Sequence, residues 1–103
     1  MDTPYTYIFI RKDLSVEQQI VQASHAALEA GFRFTQPEKT SHIVLIGIDG
    51  QEELEKISSY LIDENILHEM FFEPDYDGYT SIATQPIFGE QRKPLKKFPL
   101  HRL

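Results

Sequence analysis

Gln18, Gln22, His25 and Glu29 recur at steps of four, three and four residues. On a helix of 3.6 residues per turn this spacing sets all four along one edge. His25 is the member suited to proton transfer near neutral pH, since an ordinary histidine titrates near ~6.5. A helix histidine bonded to a neighbouring loop is the plainer alternative. Asp75 and Asp77 lie in the loop Glu73-Pro74-Asp75-Tyr76-Asp77-Gly78, where aspartates form turns as readily as they position a water. Thr80 opens the next apolar run, as a β-former or as a hydroxyl donor. Arg11 and Lys12 end the first apolar run and offer cations to an anionic substrate. His42 and His68 flank apolar runs without ligand spacing between them and read as structural. No glycine-rich phosphate loop, G-x-S-x-G elbow or H-E-x-x-H is present, and neither metal nor cofactor is expected.

The elements around these residues follow from patterning. Tyr5 to Ile10, YTYIFI, is β-branched and aromatic and reads as a central strand. Ser15 to Gly31 reads as a helix opened by the capping box Ser15-x-x-Gln18 and closed by Gly31. Its apolar residues Ile20, Val21, Ala23, Ala27 and Leu28 are expected to pack on a sheet, with the polar row left along an open edge. Ser41 to Ile48 is a second strand and Gln51 to Glu64 a second helix. Leu67 to Phe72 and Tyr79 to Thr84 are strands joined by the turn-rich loop. From Gln85 onward, three prolines and a basic cluster predict irregular chain. The order β-α-β-α-β-β calls for two right-handed crossovers and one antiparallel pair, hence a mixed sheet of four strands with helices packed on it. The carboxyl ends of the parallel strands are where such sheets place sites. The N-terminal half of the first helix and the loop 73–80 would converge there.

Composition sets the bounds. The chain has 103 residues, 41% hydrophobic and 25% charged, enough for one core. We divide it into a single α/β domain, 1–90, and a basic C-terminal tail, 91–103. All sixteen acidic residues precede Gln91, and five of the ten Lys and Arg follow it: Arg92, Lys93, Lys96, Lys97 and Arg102. An acidic body repels polyanions, whereas a basic tail attracts one or pairs with the body. With no apolar run near 18 residues, no secretory signal and no cysteine, a cytoplasmic protein without membrane association is expected.

The residues gathered above resemble the type II peptidyl-tRNA hydrolases. That family's first strand ends in Arg and Asp-Leu, matched by Arg11-Lys12-Asp13-Leu14. Its helix reads K-x-x-x-Q-x-x-H-A, matched from Gln18 through Gln22 to His25-Ala26. Its loop Asp is matched by Asp75, with Asp77 the rival, and the Thr opening its last strand by Thr80. The resemblance spans residues 5–86. It implies a three-layer fold with strand order 2-1-4-3 and hydrolysis of the ester bond of peptidyl-tRNA without metal or cofactor. Asp75 or His25 would activate water, Gln22, Gln18 and Thr80 would donate hydrogen bonds, and Arg11, Lys12 and the tail would hold phosphates. Asp77 would contact substrate. Because the family often dimerises, a homodimer is a further expectation. Gln18 stands where the family has lysine, and the D-A-G-x-T loop is shortened. A non-catalytic RNA-, peptide- or protein-binding module on the same fold is the alternative.

Overall fold

Alternation of β-branched and aromatic residues with turn formers sets out four strands and two long helices. The computed structural model describes residues 3–102. Strand β1 spans Tyr5–Arg11, helix α1 Val16–Arg33, β2 His42–Ile48, α2 Gln51–Asp63, β3 His68–Glu73 and β4 Gly78–Thr84. Two 3₁₀ segments, Pro74–Tyr76 and Gly89–Leu95, complete the order. The sheet runs β2-β1-β4-β3. β1 and β2 are parallel, and β4 is antiparallel to both β1 and β3. The α2 crossover therefore carries the chain from one edge of the sheet to the other.

Strand alternation divides the core between two faces. Tyr7, Phe9, Ile46, Ile48 and Ile82 pack with Leu54, Ile57 and Leu61 of α2. Ile8 and Ala83 pack with Ala26 and Ala30 of α1. The result is three layers, with the sheet between the two helices.

Ser15 caps α1, its Oγ accepting the Gln18 N–H at 3.2 Å. The expected stop at Gly31 does not occur. The helix continues to Arg33, and the Phe34 N–H closes on the Ala30 carbonyl at 3.0 Å. Gly31 stays out of the left-handed region, and a Cβ there would meet nothing within 4 Å, so no turn is imposed at that point.

The chain after Gln85 is more ordered than its prolines suggest. Ile87 pairs with Tyr5 in an isolated antiparallel bridge, and Ile87 and Leu95 are buried. Phe98 meets Phe9 edge-on, with ring centroids 5.4 Å apart. The chain then reaches the outer edge of β2. His42 N–H donates to Pro4 and Lys12 N–H to Ile48, so even positions of β2 face β1 and odd positions face outward. The outward carbonyl of Leu45 accepts the His101 N–H at 2.8 Å. An exposed strand edge is thereby partly covered.

Helix α1 is rotated from its expected setting. Gln19, Gln22, Ala26 and Ala30 face the sheet and are buried, whereas Ile20, Val21, Leu28 and Phe32 face outward. The alanines explain part of this, because small side chains let a helix approach a sheet closely. The glutamines explain the rest, since each finds internal partners for its amide.

Candidate functional site: a closed polar network under helix α1

Gln22 is only 2% exposed. A buried amide without partners would cost a few kcal/mol, so its bonds must be accounted for. Its Oε1 accepts from Thr80 Oγ1 at 2.8 Å, and its Nε2 donates to Glu73 Oε2 at 3.1 Å. Its backbone carbonyl also accepts from Ser81 Oγ at 3.0 Å. Three side chains of β3 and β4 thus clasp one helix residue.

The register of β4 makes this clasp. Phe71 pairs with Ser81 and Phe72 with Tyr79, so Thr80 is the extra residue of a β-bulge. In a regular strand, Thr80 and Ser81 would point to opposite faces. The bulge breaks that alternation and turns both hydroxyls toward α1. Bulges are a recurrent way of aiming a side chain, and here the aim is Gln22.

Arg11 stands next to the network. Its Nη1 donates to the Tyr79 carbonyl at 3.2 Å. Its Nε and Nη2 donate to Asp13 Oδ1 and Oδ2 at 3.0 and 2.8 Å, a two-pronged ion pair. The guanidinium hydrogen bonds hold the Asp13 carboxyl below its ordinary range, with burial opposing and charge attraction adding. The same pairing raises Arg11, against the effect of its burial. Lys12 turns the other way and pairs with Asp49 at 3.4 Å.

A second glutamine ties the C-terminal segment to this end of the sheet. Gln19 Nε2 donates to the carbonyls of Lys12 and Leu14 at 3.3 and 2.9 Å. Its Oε1 is left to accept from His101 Nε2 at 2.7 Å. The His101 ring lies where Gly47 has no side chain, and a Cβ on Gly47 would collide with it.

The remaining sequence-derived candidates make no hydrogen bond with the Gln22 or Thr80 side chains. His25 is exposed and stacks on Phe71, with centroids 4.7 Å apart and planes within 5°. Gln18 is half-buried and supplies its backbone N–H to the cap. Asp75 is exposed, and its N–H donates to Glu73 Oε1 at 3.3 Å. Asp77 is exposed and ends the 3₁₀ turn in the left-handed conformation, φ 48°. Its N–H donates to Pro74 at 3.1 Å, which is the work of a turn former. Glu73 is the site residue that sequence reasoning named only as the start of the turn-rich loop. The signal that identifies it is the partnership with Gln22, 51 residues away.

Open concavities lie elsewhere. One of about 510 Å³ is lined by Arg33, Phe34, Pro37, Leu67, Gln85 and Phe88, at the opposite end of the sheet from Arg11. A shallower one of about 300 Å³ runs over Ile20, Val21, Ser24, His25 and Leu28 on the outer face of α1. Among the described residues, no cluster of three or more His, Asp or Glu could hold a metal ion. No described helix is long and apolar enough to cross a membrane.

The basic cluster is largely engaged by the body. Arg92 lies 3.5 Å from the centroid of Tyr5, and its Nε donates to the Tyr7 hydroxyl at 3.1 Å. Lys97 lies 3.9 Å from the Tyr60 ring centroid, and Lys93 pairs with Glu90 at 3.0 Å.

No family model matches the chain, and no curated protein does. Among solved structures, a protein of unknown function from Agrobacterium tumefaciens, Atu0240, is similar, with a TM-score of 0.63 and 19% identity. The likeness covers 99% of this chain and 100% of that one. At this identity it bears on the fold alone.

Proposed function

We propose that this chain is a non-catalytic protein-binding module on a fold like that of the type II peptidyl-tRNA hydrolases. The observation that carries the reading is the setting of α1. The Gln19 and Gln22 amides are turned inward and bonded, while Ile20, Leu28 and Phe32 stand outward at 56%, 58% and 78% exposure. An exposed apolar face of this kind marks an interaction surface.

Hydrolysis of a peptidyl-tRNA ester would need a base, a water and free donors converging on one carbonyl. Gln22 and Thr80 are committed to each other and lie out of solvent. His25 is exposed at the flank of α1, with its ring stacked on Phe71 of β3. Gln18 supplies no charge where the family's lysine would stand. An RNA partner is also disfavoured, because Arg92, Lys93 and Lys97 are engaged by Tyr5, Glu90 and Tyr60 beside an acidic body.

The test is release of peptide from a defined peptidyl-tRNA by the full chain, beside Gln22→Ala and Asp75→Ala. The reading predicts release at the uncatalysed rate in all three. Turnover by the wild type that either substitution abolishes would overturn it.

A further inference from the structure

The two edges of the sheet differ. The outer edge of β2 is partly covered through the bond from His101 to Leu45. The opposite edge is β3, and among the described residues nothing pairs with its outer side. Register shows which groups are left open. The Gln85 N–H donates to the Leu67 carbonyl at 2.8 Å, so Leu67, Glu69 and Phe71 turn their backbone groups toward β4. His68 and Met70 therefore point their N–H and C=O away from the sheet. Open edges are commonly blunted by Lys, Pro or a bulge. Residues 67–71 contain neither Lys nor Pro, and the irregularity comes only after Phe71. The one charge in that run, Glu69, is paired with Arg33 at 3.5 Å.

The surroundings of this edge are prepared for side chains. Met70 packs toward α2 and Phe71 toward α1, so β3 presents its two faces alternately. At its head, on the α2 side, a concavity of about 510 Å³ is lined by Ile62, Asn65, Ile66, Leu67 and His68. Ile62 and Leu67 stand exposed there, and Phe72 is exposed further along the strand. The His68 ring is a fixed wall. Its Nδ1 donates to the Ile66 carbonyl at 3.0 Å, which leaves Nε2 to accept from Ser58 Oγ at 2.7 Å. Charge is one-sided, since residues 57–73 hold the four carboxylates Asp63, Glu64, Glu69 and Glu73 and no Lys or Arg.

From these observations we infer that β3 takes an extended peptide segment of another protein as an added strand, one that alternates apolar residues with lysine or arginine. The strand runs antiparallel to β3, the stronger of the two pairings. Its backbone meets one donor and one acceptor at each of His68 and Met70, and affinity comes from these main-chain bonds. Its apolar side chains lie on the α2 side, over Ile62 and Phe72. Its cations lie on the α1 side, near Glu69 and Glu73. This surface is separate from the outer face of α1 and goes beyond the protein-binding reading given above.

The test is amide hydrogen exchange of the full chain, read residue by residue by NMR, with the blocked heptapeptide KVKLKVK as probe. In the free chain, His68 and Met70 should exchange at least ~10-fold faster than Glu69 and Phe71, which are bonded to β4. Saturating peptide should slow His68 and Met70 at least ~5-fold and leave Glu69 and Phe71 unchanged. In antiparallel pairing the valine and leucine N–H groups face β3. N-methylation at those residues should abolish the effect, whereas N-methylation at the lysines should retain it. The reversed-charge peptide EVELEVE should bind at least ~10-fold more weakly. No slowing at up to ~1 mM peptide, or equal slowing by both methylated peptides, would overturn the inference. Protection of His68 that rises with protein concentration alone would also overturn it, by giving the edge to a second copy. The reading built on α1 would survive each of these results, since it concerns a different face.

Discussion

Replacing Thr80 by valine exchanges a hydroxyl for a methyl of nearly equal size. No cavity is made, and the exchange acts on one bond, from Thr80 Oγ1 to Gln22 Oε1 at 2.8 Å. Both residues are buried, so water cannot take over the donation without opening α1. Gln22 cannot simply flip its amide, because its Nε2 would then leave Glu73 Oε2. The expected loss is that of one buried acceptor left unpaired, about 1–3 kcal/mol. For a chain of this length each kcal/mol moves the melting temperature by about 4–8 °C, so a drop of at least ~5 °C should be visible by circular dichroism. Gln22→Leu should lose a similar amount by stranding Thr80 and Glu73. The double variant Gln22→Leu/Thr80→Val removes both partners of the bond and should lose less than the sum, with a coupling of about 1 kcal/mol. A loss below ~0.5 kcal/mol for Thr80→Val would refute the reasoning, since it would mean that the clasp adjusts freely and that the bulge aims Thr80 at nothing it needs.

Two further predictions follow from the same end of the sheet. Asp13 is held below its ordinary range by Arg11, so its folded-state pKa lies under the unfolded value near ~3.9. The pair then stabilises the fold at neutral pH, and that gain fades as pH falls through the lowered pKa. Asp13→Asn should be less stable than wild type by about 0.5–1 kcal/mol at pH 7 and equal to it near pH 2, measured by urea titration. A constant difference across that range would contradict the pairing. Gly47→Ala places a Cβ against the His101 ring and should eject it from Gln19. Amide exchange at His101, whose N–H is bonded to Leu45, should then speed up at least ~10-fold. Unchanged exchange would show that His101 is not held there by fit.

Much of the fold was legible. The apolar, β-branched runs YTYIFI and SHIVLIGI, the cap at Ser15 and the order of elements lead to a mixed sheet of four strands, whereas the strand order β2-β1-β4-β3 was expected only from the family resemblance. The setting of α1 was not legible, for a physical reason. Periodicity assigns apolar residues to the buried side, and α1 carries apolar residues on two sides, large ones outward and alanines inward. Which side meets the sheet is decided by Gln19 and Gln22, and their partners are Lys12, Leu14, His101, Thr80 and Glu73. Most of those lie far along the chain. The bulge at Thr80 is similarly silent, because one extra residue in β4 appears only once β3 is paired to it. The C-terminal segment did carry a signal. Ile87, Leu95 and Phe98 are apolar residues scattered among prolines and lysines, and each is a core contact.

The measurement that reaches the central claim most directly is thiol labelling of single cysteines in this cysteine-free chain. Leu28→Cys and Ala26→Cys lie two residues apart on α1, one facing outward and one against the sheet. At about 1 μM the account predicts that the thiol at position 28 reacts at the rate of an unfolded peptide. The thiol at position 26 should react at least ~1,000-fold more slowly, through global unfolding. Protection at position 28 comparable to that at position 26 would contradict the outward setting of the apolar face, and with it the binding function built on that face.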